Sequence, residues 1–543
     1  MVDRIDKISY NSYGKKRKIY NGESYMSEKC RRRKYALAVI VFAIFLWVIS
    51  YGSSLKTTGA DNSQTVSEQS SSIKKDTSEE KKDVPKRDIV DLTDTFSVIL
   101  DNVSGEMLAG YPIDDTFLMW MYANYGMDTI INIASDLLDG ADSDDIWYKE
   151  TGDSIHVLWL LYCKDSGYKP SELENVYWKD ASDSKQTVLG FTGDINLAED
   201  WCTTEYMNRQ KNGISDCFSS ELLAKMQNVD VMIMNNEFTY QEEEKAQALP
   251  GKTYTFRANP DTIGLLKTFG TDVVTLANNH VYDFGEDGFL STLENIEKEG
   301  ILYSGAGRNL DEASKVLYFV INGRKIAYVS ATEIERSMQY TKQATATTAG
   351  VLKTSDTEYL LNIVKEAAKK SDYVITELHW GTEGNLYPDS SERDLAESLA
   401  RAGTDVIIGG HPHRLQGVTF IENTPVAYSL GNFWFSTGTL FTTLAEVVIS
   451  EDGNIRLAFV PCIQENLTTR LLTESDEIEQ FYQYVGAISS NIGIDADGYL
   501  YDKKSEDYPL EKIVYDSDKC TTDIIGLTDN NGNDIDIVGN LME

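Results

Sequence analysis

Histidine occurs five times in 543 residues, and four of the five stand where short apolar runs give way to polar residues. His280 closes DVVTLANNH, His379 sits in YVITELHWG, and His411 and His413 end DVIIGGHPH. Asp194 takes the equivalent place in VLGFTGDI, and Glu237 in VDVMIMNNEF. Neutral imidazoles and carboxylates are the ligands of borderline transition metals such as Zn, Mn and Fe. Singly, each of these residues would be an ordinary polar residue at the start of a loop. Six together, in a chain otherwise nearly free of histidine, point to a metal site. The sharpest feature is His411-Pro412-His413: at a strand end, residues i and i+2 can each serve one of two neighbouring ions. Asn278 and Asn279 add amide oxygens to the set. Gly193, Gly381, Gly409 and Gly410 would let the backbone turn sharply and approach a ligand.

The surrounding pattern predicts what positions these residues. The five runs are apolar and β-branched, and helical stretches lie between them at 219–227, 262–268, 287–298, 356–370 and 391–402. Strands alternating with helices predict βαβ units and a layered α/β fold. Two sections read as hairpins: VLYFVINGRKIAYVSATE, turning at Asn322-Gly323, and AEVVISEDGNIRLAFVPC, turning at Asp452-Gly453. The expected architecture is a mixed sheet, or two packed sheets, covered by helices. Ligands in α/β sheets gather at the carboxyl ends of strands, so one sheet face is expected to collect the acids, the asparagines and the four histidines. No phosphate-cradling Gly-rich signature follows a strand, so ATP and dinucleotide chemistry lack their usual motifs.

The runs extend into longer motifs in a fixed order: LGFTGDINL (189–197), NNEFTY (235–240), YTFRANP (254–260), VVTLANNHVYDFGEDGF (273–289), YSGAGRN (303–309), ELHWGTE (377–383), GGHPHRLQGV (409–418) and AYSLGNFWFS (427–436). In these motifs residues 187–463 resemble the CapA family, the poly-γ-glutamate capsule synthesis proteins, whose fold is similar to that of the calcineurin-like metallophosphoesterases. The resemblance implies a two-sheet sandwich flanked by helices, carrying two divalent transition metal ions (Mn, Zn or Fe). It implies Asp194 and His413 as ligands of the first ion, Asn279, His379 and His411 as ligands of the second, and Glu237 as the bridge. His280 is implied to contact substrate and protonate a leaving group. Two positions depart from the phosphoesterase pattern. Asp194-Ile195-Asn196 replaces Asp-x-His, and Glu237 stands for the usual aspartate. Both changes are features of the CapA branch and argue against ordinary phosphatase activity. The FRANP segment supplies Arg257 as a clamp for a substrate carboxylate or phosphate, which a guanidinium binds bidentately; the alternative is a surface arginine paired with an acid. Trp380 and Asn432 lie on motif loops, where plain packing is the expected role.

Composition bounds the function. Lys plus Arg number 50 and Asp plus Glu 86, a net charge of −36, which excludes a basic nucleic-acid footprint. Six cysteines without a CxxC pair exclude a zinc ribbon and a thioredoxin-type site. The charge is uneven: residues 1–34 hold 11 Lys/Arg against 4 Asp/Glu, leaving 39 against 82 and a net of −43 for the remainder. The basic cluster runs into residues 35–55, an uncharged stretch that spans roughly 30 Å as a helix. The sequence predicts a cytoplasmic basic tail (1–34), an uncleaved transmembrane anchor (35–55), a disordered stalk (56–90), a helical accessory domain (91–185), the CapA-like domain (186–470) and a C-terminal extension (471–543) that opens with a helix at 475–488. That places the protein at the cell membrane, single-pass, with its body extracellular. Cys202 and Cys217 could pair there. His156 reads as a structural or surface histidine. The expected function is synthesis or export of an anionic polymer, poly-γ-glutamate, by a metal-dependent hydrolase or transferase acting on amide or phosphoryl bonds, with a polymer synthase complex as partner. Its alternatives are a secreted metal-dependent phosphoesterase and a non-catalytic scaffold.

Overall fold

The apolar runs become strands of two sheets in the computed structural model, which describes residues 92–102, 111, 113–140, 143–335 and 340–503. The expected basic tail, membrane anchor, stalk and the polar end of the C-terminal extension lie outside the described residues. Among the described residues, no helix is long and apolar enough to cross a membrane. The chain divides into two compact units.

Among the described residues, the first unit holds three helices, Leu92–Asn102, Asp115–Tyr125 and Met127–Leu138. The Asp114 carboxylate accepts from the backbone N–H of Thr116 and Phe117 and so caps the second helix. Gly126, at φ 89°, links it to the third. Phe117, Leu118, Met121, Ile130 and Ile133 are buried.

The second unit is built on fifteen strands: β1 (Val176–Trp178), β2 (Gln186–Ile195), β3 (Val231–Asn236), β4 (Val273–Thr275), β5 (Leu302–Ser304), β6 (Leu317–Ile321), β7 (Arg324–Thr332), β8 (Tyr373–His379), β9 (Val406–Gly410), β10 (Val418–Ile421), β11 (Thr424–Ala427), β12 (Asn432–Trp434), β13 (Leu440–Ser450), β14 (Ile455–Glu465) and β15 (Thr468–Leu471). One sheet runs β1-β6-β7-β8-β9-β11-β10, the other β15-β14-β13-β2-β3-β4-β5, with β12 also paired to β2. In the first sheet β7, β8 and β9 are parallel, with Thr332, His379 and Gly410 in register. In the second β2, β3 and β4 are parallel, with Asp194, Asn235 and Thr275 in register. Parallel register aligns the carboxyl ends of these strands at one edge of each sheet.

The sheets pack face to face. Val231 and Ile233 of β3 join Ile326 and Tyr328 of β7 in one core, while Met232 and Met234 turn outward under the helices Ser220–Asn228 and Gly285–Glu299. On the other sheet Ala327 and Val329 turn outward under Thr357–Ala368 and Ser390–Ala402. Alternate residues of a strand point to opposite faces, and here both faces are covered. That is why the runs read as continuously apolar. Each fully buried Val, Leu, Ile or Met contributes about 1.5–3 kcal/mol of transfer free energy.

The described residues of segment 91–185 hold α-helices up to Ser166, but then form β1, which pairs in parallel with β6 as the edge of the first sheet. His156 is half-buried, with Nδ1 2.9 Å from the Tyr111 hydroxyl. The Cys202–Cys217 link that the sequence allows is not formed: both are free thiols, and Cys217 is buried with Sγ directed at the Gly213 carbonyl.

Candidate metal centre

The expectation that one sheet face collects the chemical groups gives way to a junction of two sheets. Asp194 belongs to the end of β2, Glu237 follows β3, and Asn279 and His280 follow β4, all in one sheet. His379 ends β8, and His411 and His413 follow β9, in the other. Every one of these strands is buried on both sides, so the apolar pattern carries no mark of the sheet a strand joins.

Six of the predicted residues meet. His379 Nε2 lies 2.8 Å from Asn279 Oδ1, 3.2 Å from His411 Nδ1 and 3.4 Å from Glu237 Oε1. Asp194 Oδ2 lies 3.1 Å from His413 Nδ1. All six side chains belong to residues no more than 5% exposed. Two triads have ligand atoms within 4.8 Å of one another, Glu237/His379/His411 and Asp194/Glu237/His413, and Glu237 is common to both. A tetrahedral ion with bonds of about 2.1 Å spaces its ligands roughly 3.4 Å apart, close to the separations seen here.

Local chemistry fits a cation. Glu237 Oε1 and His413 Nε2 are buried without a hydrogen-bond partner, which is costly unless a positive charge satisfies them. Burial pulls His379 down to about 3 and holds His411 well below the usual imidazole range, with His379 and His413 adding to the effect. Both are therefore neutral near pH 7, the form a metal binds. Burial, reinforced by the Asp194 charge, pushes Glu237 well above the usual carboxylate range, so it surrenders its proton only to a counter-charge. Asp194 is held low: burial opposes this, but the hydrogen bond and charge of His413 prevail, and His413 is raised in turn. The backbone at His411 (φ 100°) and His413 (φ 57°) is left-handed, an arrangement that concentrates at functional loops.

His280 belongs to neither triad. Its Nδ1 lies 2.8 Å from Asp283 Oδ2, and Asp283 Oδ1 lies 2.6 Å from Lys252 Nζ. That leaves Nε2 as the ring nitrogen for chemistry; burial lowers the pKa despite Asp283. Arg257 is not brought to the six: its guanidinium donates to the Gln241 carbonyl (2.9 Å) and to the Glu199 carboxylate. Asn432, paired in register with Asp194 through β12, does reach the centre, with Oδ1 2.8 Å from His413 Nδ1. Trp380 is buried and donates from Nε1 to the Tyr428 carbonyl, a packing role.

Sequence reasoning missed three supporting residues. Asn235 donates from Nδ2 to Asp194 Oδ1 (2.7 Å), lies 3.4 Å from Glu237 Oε2, and accepts at Oδ1 from Asn278 (3.0 Å). Asp283 could have been noticed three residues after His280, within reach of its ring. Lys252 sits in a loop with no distinguishing signal.

These features define an α/β protein with a buried histidine–carboxylate centre suited to divalent cations. Residues 188–437 match the family described as bacterial capsule synthesis protein PGA_cap. The chain is 31% identical over 294 residues to the PGA biosynthesis protein CapA of Bacillus subtilis (strain 168), covering 53% of this chain and 74% of that one. It is 28% identical over 271 residues to the capsule biosynthesis protein CapA of Bacillus anthracis, covering 49% and 64%. The chain belongs to this bacterial capsule synthesis family.

Proposed function

We propose that the protein acts in synthesis or export of poly-γ-glutamate at the outer face of the cell membrane, anchored by residues 35–55 and working beside a polymer synthase. In this reading Asp194, Glu237 and His413 hold one divalent ion, and Glu237, Asn279, His379 and His411 a second. Such a pair supplies charge stabilisation at an amide or phosphoryl oxygen and an activated nucleophile. With Nδ1–H on Asp283, His280 takes a proton at Nε2 from the attacking water or amine; Asp283 steadies the imidazolium, which returns the proton to the leaving atom. The observation that carries the proposal is Glu237, buried, shared by both triads and left with an unpartnered oxygen.

Metal analysis of the full-length chain beside a His411→Ala/His413→Ala variant tests the centre. Loss of at least one ion per chain is expected, and equal content in the two would defeat the ligand assignment. Polymer yield in cells carrying His280→Ala tests catalysis. It should collapse at unchanged protein abundance, whereas normal yield would favour a scaffold.

A further inference from the structure

His413 of the centre and the neighbouring His280 are backed by aromatic rings that continue outward as a row. Phe256 packs on His280 with ring centroids 4.4 Å apart, and Phe435 on His413 at 4.6 Å. These two rings lie 5.6 Å from each other, and Trp201 lies 4.8 Å from the first and 6.0 Å from the second. Tyr254 completes the row, 6.1 Å from Trp201 and 6.4 Å from Phe256. Exposure rises along it: Phe256 and Phe435 are buried, Trp201 is half-buried, and Tyr254 is 37% exposed. The indole is fixed by donation from its Nε1 to the Phe435 carbonyl. A wall of rings therefore leads from solvent to the histidine that would move the proton.

The charges beside this wall limit what it can hold. Lys252 is engaged by Asp283 and Glu335, and Arg257 by Glu199. Carboxylates of a substrate gain nothing there, so an anionic polymer must present carbon to the rings. Glutamate linked through its γ-carboxyl has two methylenes in the main chain next to each amide. The α-linked isomer instead carries them in side chains tipped with charge. Aromatic faces and edges pack well on C–H groups and amide planes.

We propose that Trp201 and Tyr254, backed by the buried Phe256 and Phe435, form a subsite for the main-chain methylenes and amide plane of a γ-linked polyamide, and that this wall selects γ- over α-linkage. The inference rests on the polymer reading given above. Burying two methylenes corresponds to roughly a tenfold gain in affinity.

The test measures binding of equal-length γ-linked and α-linked glutamate oligomers to the full-length chain loaded with Mn²⁺. The parent should prefer the γ-linked oligomer by about tenfold. Tyr254→Ala and Trp201→Ala should lose that preference at unchanged metal content, and Tyr254→Phe should keep it. Full discrimination by Tyr254→Ala, or none by the parent, would overturn the subsite while leaving the polymer reading intact. Failure of the metal-loaded parent to bind the γ-linked oligomer at all would remove both.

Discussion

Asn235 shows how far the centre depends on a residue that is not itself a ligand. Its amide ties Asp194 and Glu237, which come from neighbouring strands, to Asn278, which in turn accepts from the N–H groups of His280 and Val281. Outer partners of this kind typically govern metal affinity by 10–100-fold. Asn235→Ala should therefore weaken Mn²⁺ or Zn²⁺ binding by about that factor in competition dialysis, with the fold retained. Glu377 lies close to the centre, lining a small cavity with Asp194 and His379. It is buried two positions before His379 and accepts from the Tyr328 hydroxyl at 2.5 Å; the cavity is about 10 Å³, the room of one water. Burial pushes its carboxyl up to about 8 from an ordinary 4.5. Between those values the folded chain holds a proton that the unfolded chain has released, so stability falls as pH rises through this window. Glu377→Gln keeps the acceptor and removes the slope. The metal-free variant should exceed its parent by on the order of 3 kcal/mol in urea melts at pH 8, with the margin shrinking toward pH 4.5. The candidate ligands, Asn279 among them, were legible because histidine is rare in the chain and ANNH ends an apolar run. Asn235 was not, since its amide gains a role only once three strands lie side by side.

At the scale of elements, the strand ends are shaped by contacts that exclude a side chain. A Cβ on Gly409 would sit 1.9 Å from the Tyr428 carbonyl oxygen, and one on Gly193 would sit 1.8 Å from that of Gly431. The sequence marks both glycines as points of close approach to a ligand; the structure gives the nearer reason, which is backbone against backbone. Gly409→Ala should displace the end of β9, cost about 2 kcal/mol or more, and lower the metal content of whatever folds, as read by thermal melts and metal analysis. Helix Ser475–Ile488 and the turn at Asn322-Gly323 (φ 48° and 71°) were readable, because helical spacing and an Asn-Gly pair are strong local signals. Strand β1 was not, since three residues carry too little period to be seen inside a helical segment. The stretch Pro260–Phe269 has helical spacing but winds as a 3₁₀ helix.

On the whole-molecule scale, charge and the proposed substrate pull against each other. A chain of net −36 repels a polyglutamate, and the repulsion acts over the screening length. Raising NaCl from about 20 to 200 mM shortens that length from roughly 20 to 7 Å. Affinity for γ-linked polymer should then strengthen with salt, the reverse of a basic polyanion binder, and fluorescence anisotropy across the series checks the sign.

The pairing of β2 with β13 sets a timetable for the newborn chain. Phe191 lies opposite Ala445, so the strand that carries Asp194 finds its long antiparallel neighbour only after some 250 further residues are made. At ribosomal speeds of roughly 5–20 residues per second, that is a wait of about 12–50 s with an apolar edge uncovered. Nascent polypeptide in this interval is a natural client for holdase chaperones, and any truncation before residue 440 leaves the second sheet without its central strand pair.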